Sequence, residues 1–133
     1  MKEIDKITVR QVMRRNVTIV EGSISVMQAL RTMKEVGATC LIVSKRSPED
    51  EFGMVLFSDI AKQVIAKNRS PERVNAYEIM AKPVIAVRPD MNIRYCARMF
   101  ERFGISHAPV IENGEVIGIV SYYLLVLGVL QLD

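Results

Sequence analysis

At 133 residues, half of them hydrophobic, the chain has enough apolar side chain for a sizeable core and too much for disorder. Its 18 Lys and Arg against 15 Asp and Glu leave a formal charge of only +3, with the basic residues scattered singly or in pairs, which argues against nucleic acid as a partner. The first residues mix both charges without an apolar signal segment, and the longest uncharged run, 118–132, falls short of the roughly 20 residues of a spanning helix. A cytoplasmic protein with no membrane partner is expected, with Cys40 and Cys96 as reduced, buried thiols inside apolar runs.

Taken in chain order, the sequence predicts a short extended segment at 17–20, then a helix capped by Ser23. Val26, Ala29, Leu30, Met33 and Val36 give that helix one apolar stripe, and Gly37 ends it. Strands at 39–43 and 54–57 follow, joined by the polar loop 45–51, and Ser58-Asp59 opens a second helix to about Lys67. The polar stretch 68–73 reads as a linker. Beyond it come an extended segment at 84–87, a cap at Asp90, and a helix with Ile93, Cys96, Ala97, Phe100 and Phe103 on one face, ending at Gly104. Asn113-Gly114 then joins strands 107–111 and 116–120 in a hairpin, and Ser121 opens a last helix through Leu130.

These two series are one pattern repeated. At an offset of 67 residues Met13 falls on Met80, Val17 on Val84, Val20 on Val87, Arg31 on Arg98, Gly37 on Gly104 and Val43 on Val110. A two-residue shift, absorbed in the loop 45–51, then sets Gly53 on Gly118 and Val55 on Val120. The order strand, helix, strand, strand, helix occurs twice, so the fold class is α+β, with copies at 1–70 and 71–133. One copy of about 60 residues buries little surface by itself, so the two are expected to pack their sheets together, with a pseudo-twofold cleft between them.

The element order, the duplication and several local strings resemble the cystathionine-β-synthase-type (CBS) domain pair, or Bateman module, over about Ile7 to Leu130. The strings are Val9-Arg10-Gln11-Val12-Met13 and Ala76-Tyr77-Glu78-Ile79-Met80, Gly104-Ile105-Ser106-His107-Ala108-Pro109-Val110, and the strand-to-helix segments that begin at Gly53 and Gly118. The resemblance implies clefts for an adenosine-containing ligand such as AMP, ATP, NAD or S-adenosylmethionine. In that family the last strand and helix read G-h-h-S/T-x-x-D, with h apolar; the hydroxyl bonds a phosphate and the Asp holds both ribose hydroxyls. A carboxylate suits a cis-diol and a hydroxyl beside exposed amides suits an anion.

Both copies depart from that motif. The first keeps Asp59 and has Leu56 in place of the hydroxyl; the second keeps Ser121 and has Leu124 in place of the Asp. The Asp59 site is the better candidate, because a charged hydrogen bond is worth roughly 1.5–3 kcal/mol. By resemblance it would also draw on Ser58, on Thr39 near the phosphate, on Pro83, Val84 and Ile85 around adenine, and on Ser106 or His107 across the cleft. Each residue has a plainer role as well: Asp59 and Ser121 as helix caps, His107 as a packed or surface side chain, and Arg14, Arg15 and Lys82 as solvated surface.

Catalysis is not expected. Ser106 and His107, read as strand neighbours, would point to opposite faces and could not pair as nucleophile and base. One His and two distant Cys cannot close a zinc site, and phosphate-loop glycine motifs are absent. The last helix, 122–132, is apolar nearly all round, which implies a homodimer interface. The reading is therefore a non-enzymatic sensing module that regulates an unknown target protein. The alternative is a ligand-free dimerisation or partner-binding module whose clefts have decayed.

Overall fold

The structure is a computed structural model that describes residues 3–133. Its backbone contacts divide the chain into two compact units, Thr18–Val84 and Met1–Val17 with Ile85–Asp133. This packing division differs from the division of the repeat at 70/71, and the segments that open the copies account for the difference.

In the unit Thr18–Val84, strand β1 (Ile19–Val20) runs parallel to β2 (Cys40–Val43), and β3 (Gly53–Leu56) runs antiparallel to β2 with Cys40 opposite Leu56. A parallel pair requires a crossover, which helix α2 (Val26–Val36) supplies. Val26, Ala29 and Met33 form its buried stripe, packed with Leu41, Val43 and Val55 of the sheet. The helix ends at Gly37, whose φ of 68° lies in the left-handed region that a side chain disfavours. After β3, helix α3 (Phe57–Ile60) continues through a π-helical turn, Ala61–Ile65, and α4 (Ala76–Ile79) closes the unit.

The other unit repeats the plan. Helix α5 (Ile93–Phe103) buries Ile93, Cys96 and Phe100, and ends at Gly104 with φ 64°. Strands β4 (His107–Glu112) and β5 (Glu115–Ser121) pair antiparallel through Asn113-Gly114, both at positive φ as a tight hairpin requires. Val87 pairs in parallel with Val110, the counterpart of β1 on β2. Helix α6 (Tyr122–Gly128) follows directly and tightens into a 3-10 turn, Val129–Leu132.

Helix α1 (Val9–Val12), at the start of the first copy, packs in this second unit, with Val9 and Val12 in the core beside Ile93, Phe100 and Leu125. The Val9 amide donates to the Met91 carbonyl at 2.8 Å and the Ile93 amide to the Ile7 carbonyl at 3.0 Å. In the first unit α4 does the same for α2: the Val26 amide donates to Val74 and the Ala76 amide to Ile24, at 2.7 and 2.8 Å. Each opening segment thus joins the core of the other copy.

This pairing also corrects the helix caps. The expected caps Ser23 and Asp90 lie two residues early; the N-caps are Ser25, whose hydroxyl accepts the Gln28 amide, and Asn92, whose side-chain oxygen accepts the Arg94 amide. Ser25 pairs with Asn75 and Asn92 with Thr8, so long-range backbone bonds fix where each helix begins. Met33 and Met54 are core residues, and Cys40 and Cys96 are buried free thiols.

Candidate functional site

Each unit has one junction where a strand turns directly into a helix. In the first, the Phe57 amide donates to the Thr39 carbonyl at 3.0 Å, which brings the start of β2 against the end of β3. Leu56 is the N-cap of α3, two residues before Ser58, so the helix does not take Ser58 or Asp59 as its cap. Asp59 is the third helical residue, and its Oδ2 accepts the Leu56 amide at 2.9 Å. Asp59 is half-buried and Ser58 exposed, and the backbone brings both to the same junction as Thr39 and Leu56. The Cys40 thiol, opposite Leu56, is pushed up to about 12 by burial and further by the negative charge of Asp59.

The β5–α6 junction has the same wiring with the complementary residue. The Tyr122 amide donates to the Ser106 carbonyl at 3.1 Å, and the Ser121 hydroxyl accepts the Leu124 amide at 3.3 Å. A capping box needs a hydroxyl at the N-cap and a carboxylate three residues on. Leu56 with Asp59 keeps one half of that box, and Ser121 with Leu124 keeps the other.

Seven of the ten residues singled out in the sequence fall into two groups, and three lie in the segment 83–85. Thr39, Leu56, Ser58 and Asp59 gather at the first junction, and Ser106, His107 and Ser121 at the second, where His107 is the ladder partner of Ser121. Pro83 and Val84 end the first unit and Ile85 begins the second stretch of the other. Lys82, next to Pro83, is held by Asp50 in the β2–β3 loop, at the end of the sheet away from Asp59.

Two side-chain expectations change. Ser106 lies just before β4 and escapes strand alternation, so its hydroxyl hydrogen-bonds His107 Nδ1 at 2.8 Å, contrary to the expectation that the two point apart. Lys82 is not solvated surface: its side chain is only 21% exposed and its ammonium meets Asp50 Oδ1 at 2.8 Å. A Lys thirty-two positions from an Asp in an irregular loop leaves no periodic signal in the sequence.

Among the described residues no group of three or more His, Cys, Asp or Glu could hold a metal ion, and no helix is long and apolar enough to cross a membrane. On α6 and its 3-10 turn, Tyr123, Val126 and Leu130 are exposed at 64–70%.

One plan carried out twice in one chain, the second copy opening on a single Val87–Val110 bridge and each ending in a strand-to-helix junction, defines a tandem α+β domain pair. The chain belongs to the CBS-domain family: the family's model, described as CBS domain, matches residues 9–66 and 76–126. Among curated relatives, a homoserine O-acetyltransferase of Methanosalsum zhilinae is 37% identical over 119 residues, which cover 89% of this chain and 23% of that protein. An uncharacterized protein of Methanopyrus kandleri is 28% identical over 116 residues, covering 86% of this chain and 59% of that one. The chain thus spans less than two thirds of both. Among solved structures, a hexameric CBS-CP12 protein from bloom-forming cyanobacteria superposes with a TM-score of 0.88 at 36% identity, covering 90% of this chain and 66% of that one. A CBS domain pair crystallised with 5′-methylthioadenosine and S-adenosyl-L-methionine shares the fold at TM-score 0.79 and 22% identity, covering 95% and 98%.

Proposed function

We propose that the chain is a cytoplasmic, non-enzymatic sensing module that binds an adenosine-containing small molecule at the first junction and passes its occupancy to an unknown target protein. The observation that carries this reading is the placement of Asp59. One carboxylate oxygen is anchored by the Leu56 amide, which fixes the side chain at the junction mouth, and a carboxylate so held can accept both hydroxyls of a ribose. Thr39 and Ser58 supply hydroxyls beside it for a phosphate or sulfonium-bearing tail. The ligand class, AMP, ATP, NAD or S-adenosylmethionine, draws support from the related pair that carries adenosyl compounds. We assign Pro83 and Val84, which end the same unit, to the adenine. At a ligand efficiency near 0.3 kcal/mol per heavy atom, an AMP-sized ligand gains about 7 kcal/mol, a Kd on the order of 10 μM.

A thermal-shift screen against these compounds tests the reading. A ligand at 100 times its Kd adds about 2.7 kcal/mol, so a clear rise in melting temperature is expected for at least one. A second reading, a ligand-free module for dimerisation or partner binding, is favoured by Leu56 and Leu124 in the two motifs and by the exposed apolar face of α6. Residues 122–132 would then form a homodimer interface, and a monomeric mass by sedimentation at micromolar concentration contradicts that interface.

A further inference from the structure

The end of the first sheet away from Asp59 holds an open cavity of about 720 Å³, built wholly from the unit Thr18–Val84. Val43, Met80 and the ring of Tyr77 form an apolar wall, while Lys45, Arg46 and Lys82 bring three cations to its lining. The hydroxyls of Ser23 and Ser44 add donors. Gly22 lies in the floor, where a Cβ would come within 3.1 Å of Tyr77 and 3.3 Å of Val43.

The cations are positioned rather than merely present. Asp50, its side chain 13% exposed, accepts Lys82 at 2.8 Å, the Arg46 amide at 2.9 Å and Arg46 Nε at 3.3 Å. Hydrogen bonding from Lys82, then from the Arg46 and Glu51 amides, holds the Asp50 carboxyl well below the usual carboxylate range, so it keeps its cations at any physiological pH. Lys45 lies 4.9 Å above the Phe52 ring. Against Asp50 and Glu21, the three cations leave an excess of one positive charge at the cavity.

The repeat supplies an internal comparison. The corresponding place in the other unit is lined by Arg88, Asp90, Glu112 and Asn113, and Glu112 is tied to Arg10. At the 67-residue offset Lys45 becomes Glu112 and Arg46 becomes Asn113, so the fold forms without the basic cluster. The cluster therefore has no general structural purpose, and the longer β2–β3 loop of the first copy is what provides Asp50 and Phe52.

We propose that this cavity is a second ligand site, particular to the first unit, for a small phosphate monoester whose apolar ring lies on Met80 and the exposed ring of Tyr77. Phosphate is the suited anion because its three terminal oxygens match several donors on separate segments.

The test is a titration of the full chain with phenyl phosphate at low ionic strength, followed by backbone amide shifts. Saturable shifts are expected at Gly22, Ser23, Ser44 to Arg46 and Lys82. The double variant K45Q/R46Q, altering two exposed side chains, should melt as the wild type does and bind about tenfold or more weakly, the loss of a charge-assisted hydrogen bond. D59N should bind phenyl phosphate as the wild type does, which separates this site from the adenosine junction. Shifts confined to 57–59, undiminished affinity in K45Q/R46Q, or equal affinity for uncharged phenol would each overturn the proposal.

Discussion

Replacing Asp59 by Ala and by Asn separates the two tasks of its carboxylate. Its Oδ2 accepts the Leu56 amide at the N-cap of α3, a half-buried donor. Alanine removes that acceptor, and losing such a capping bond costs about 1 kcal/mol. For a chain of this size that lowers the melting temperature by about 3–5 °C. Asparagine keeps an oxygen for the Leu56 amide, so Asp59→Asn should melt within about 1 °C of the wild type. A ribose diol, by contrast, loses its charged acceptor in both variants, and adenosine-ligand affinity should fall about tenfold or more in each. Urea denaturation gives the first quantity and calorimetric titration at 15 °C, where both variants are folded, gives the second. Wild-type affinity in Asp59→Asn would confine the carboxylate to capping, and wild-type stability in Asp59→Ala would refute the capping bond.

Four further outcomes follow from the packing. Burial pushes the Cys40 thiol up to about 12 and the Cys96 thiol to about 11 from an ordinary 9.0, so the folded state holds these protons more tightly than the unfolded chain. Stability should therefore fall as pH rises above about 9, and Cys40→Ala should flatten that decline in denaturation curves; a slope that is unchanged excludes the thiol as its source. Both thiols should also resist alkylation at pH 8 until denaturant is added. Gly37→Ala and Gly104→Ala force a side chain into φ 68° and 64° in open space, so each should cost about 1–2 kcal/mol by backbone strain alone, measured by chemical denaturation. A Cβ on Gly118 would lie 2.6 Å from Met13 Sδ and 3.0 Å from the Arg14 carbonyl, whereas on Gly53 the contact at 2.5 Å is with flexible Met80 Sδ and the nearest rigid neighbour, Val43 Cβ, is 3.3 Å away. Gly118→Ala should thus cost more than Gly53→Ala, on the order of 1–3 kcal/mol, and Met13→Ala should relieve only part of it.

The repeat made most of the fold legible. The apolar stripes of α2 and α5, the glycines that end them and the Asn113-Gly114 hairpin each depend on residues close in sequence, and the structure places them as the spacing predicts, except that Val36 and Phe103, in the last turn of each helix, run past the sheet and are 41% and 56% exposed. What depends on distant residues was not legible. Ser23 and Ser25 are equally good caps by type, and the bond from Ser25 to Asn75 across the unit decides between them. The opening helices follow the repeat in sequence and the opposite core in space, because Val9 and Val12 complete the stripe of α5. At the candidate site the motif spacing brought Thr39, Leu56, Ser58 and Asp59 together at one junction. The Ser106–His107 bond and the Lys82–Asp50 pair escaped, since both arise where the backbone leaves regular strand geometry.

The measurement that tests the central claim most directly is a calorimetric titration of the protein with AMP, ATP, NAD and S-adenosylmethionine, reading stoichiometry as well as affinity. Asp59 at the first junction and Leu124 at the second predict one Asp59-dependent adenosine site per chain, with a Kd on the order of 10 μM. No binding of any of the four, or two equivalent sites per chain, would contradict the account.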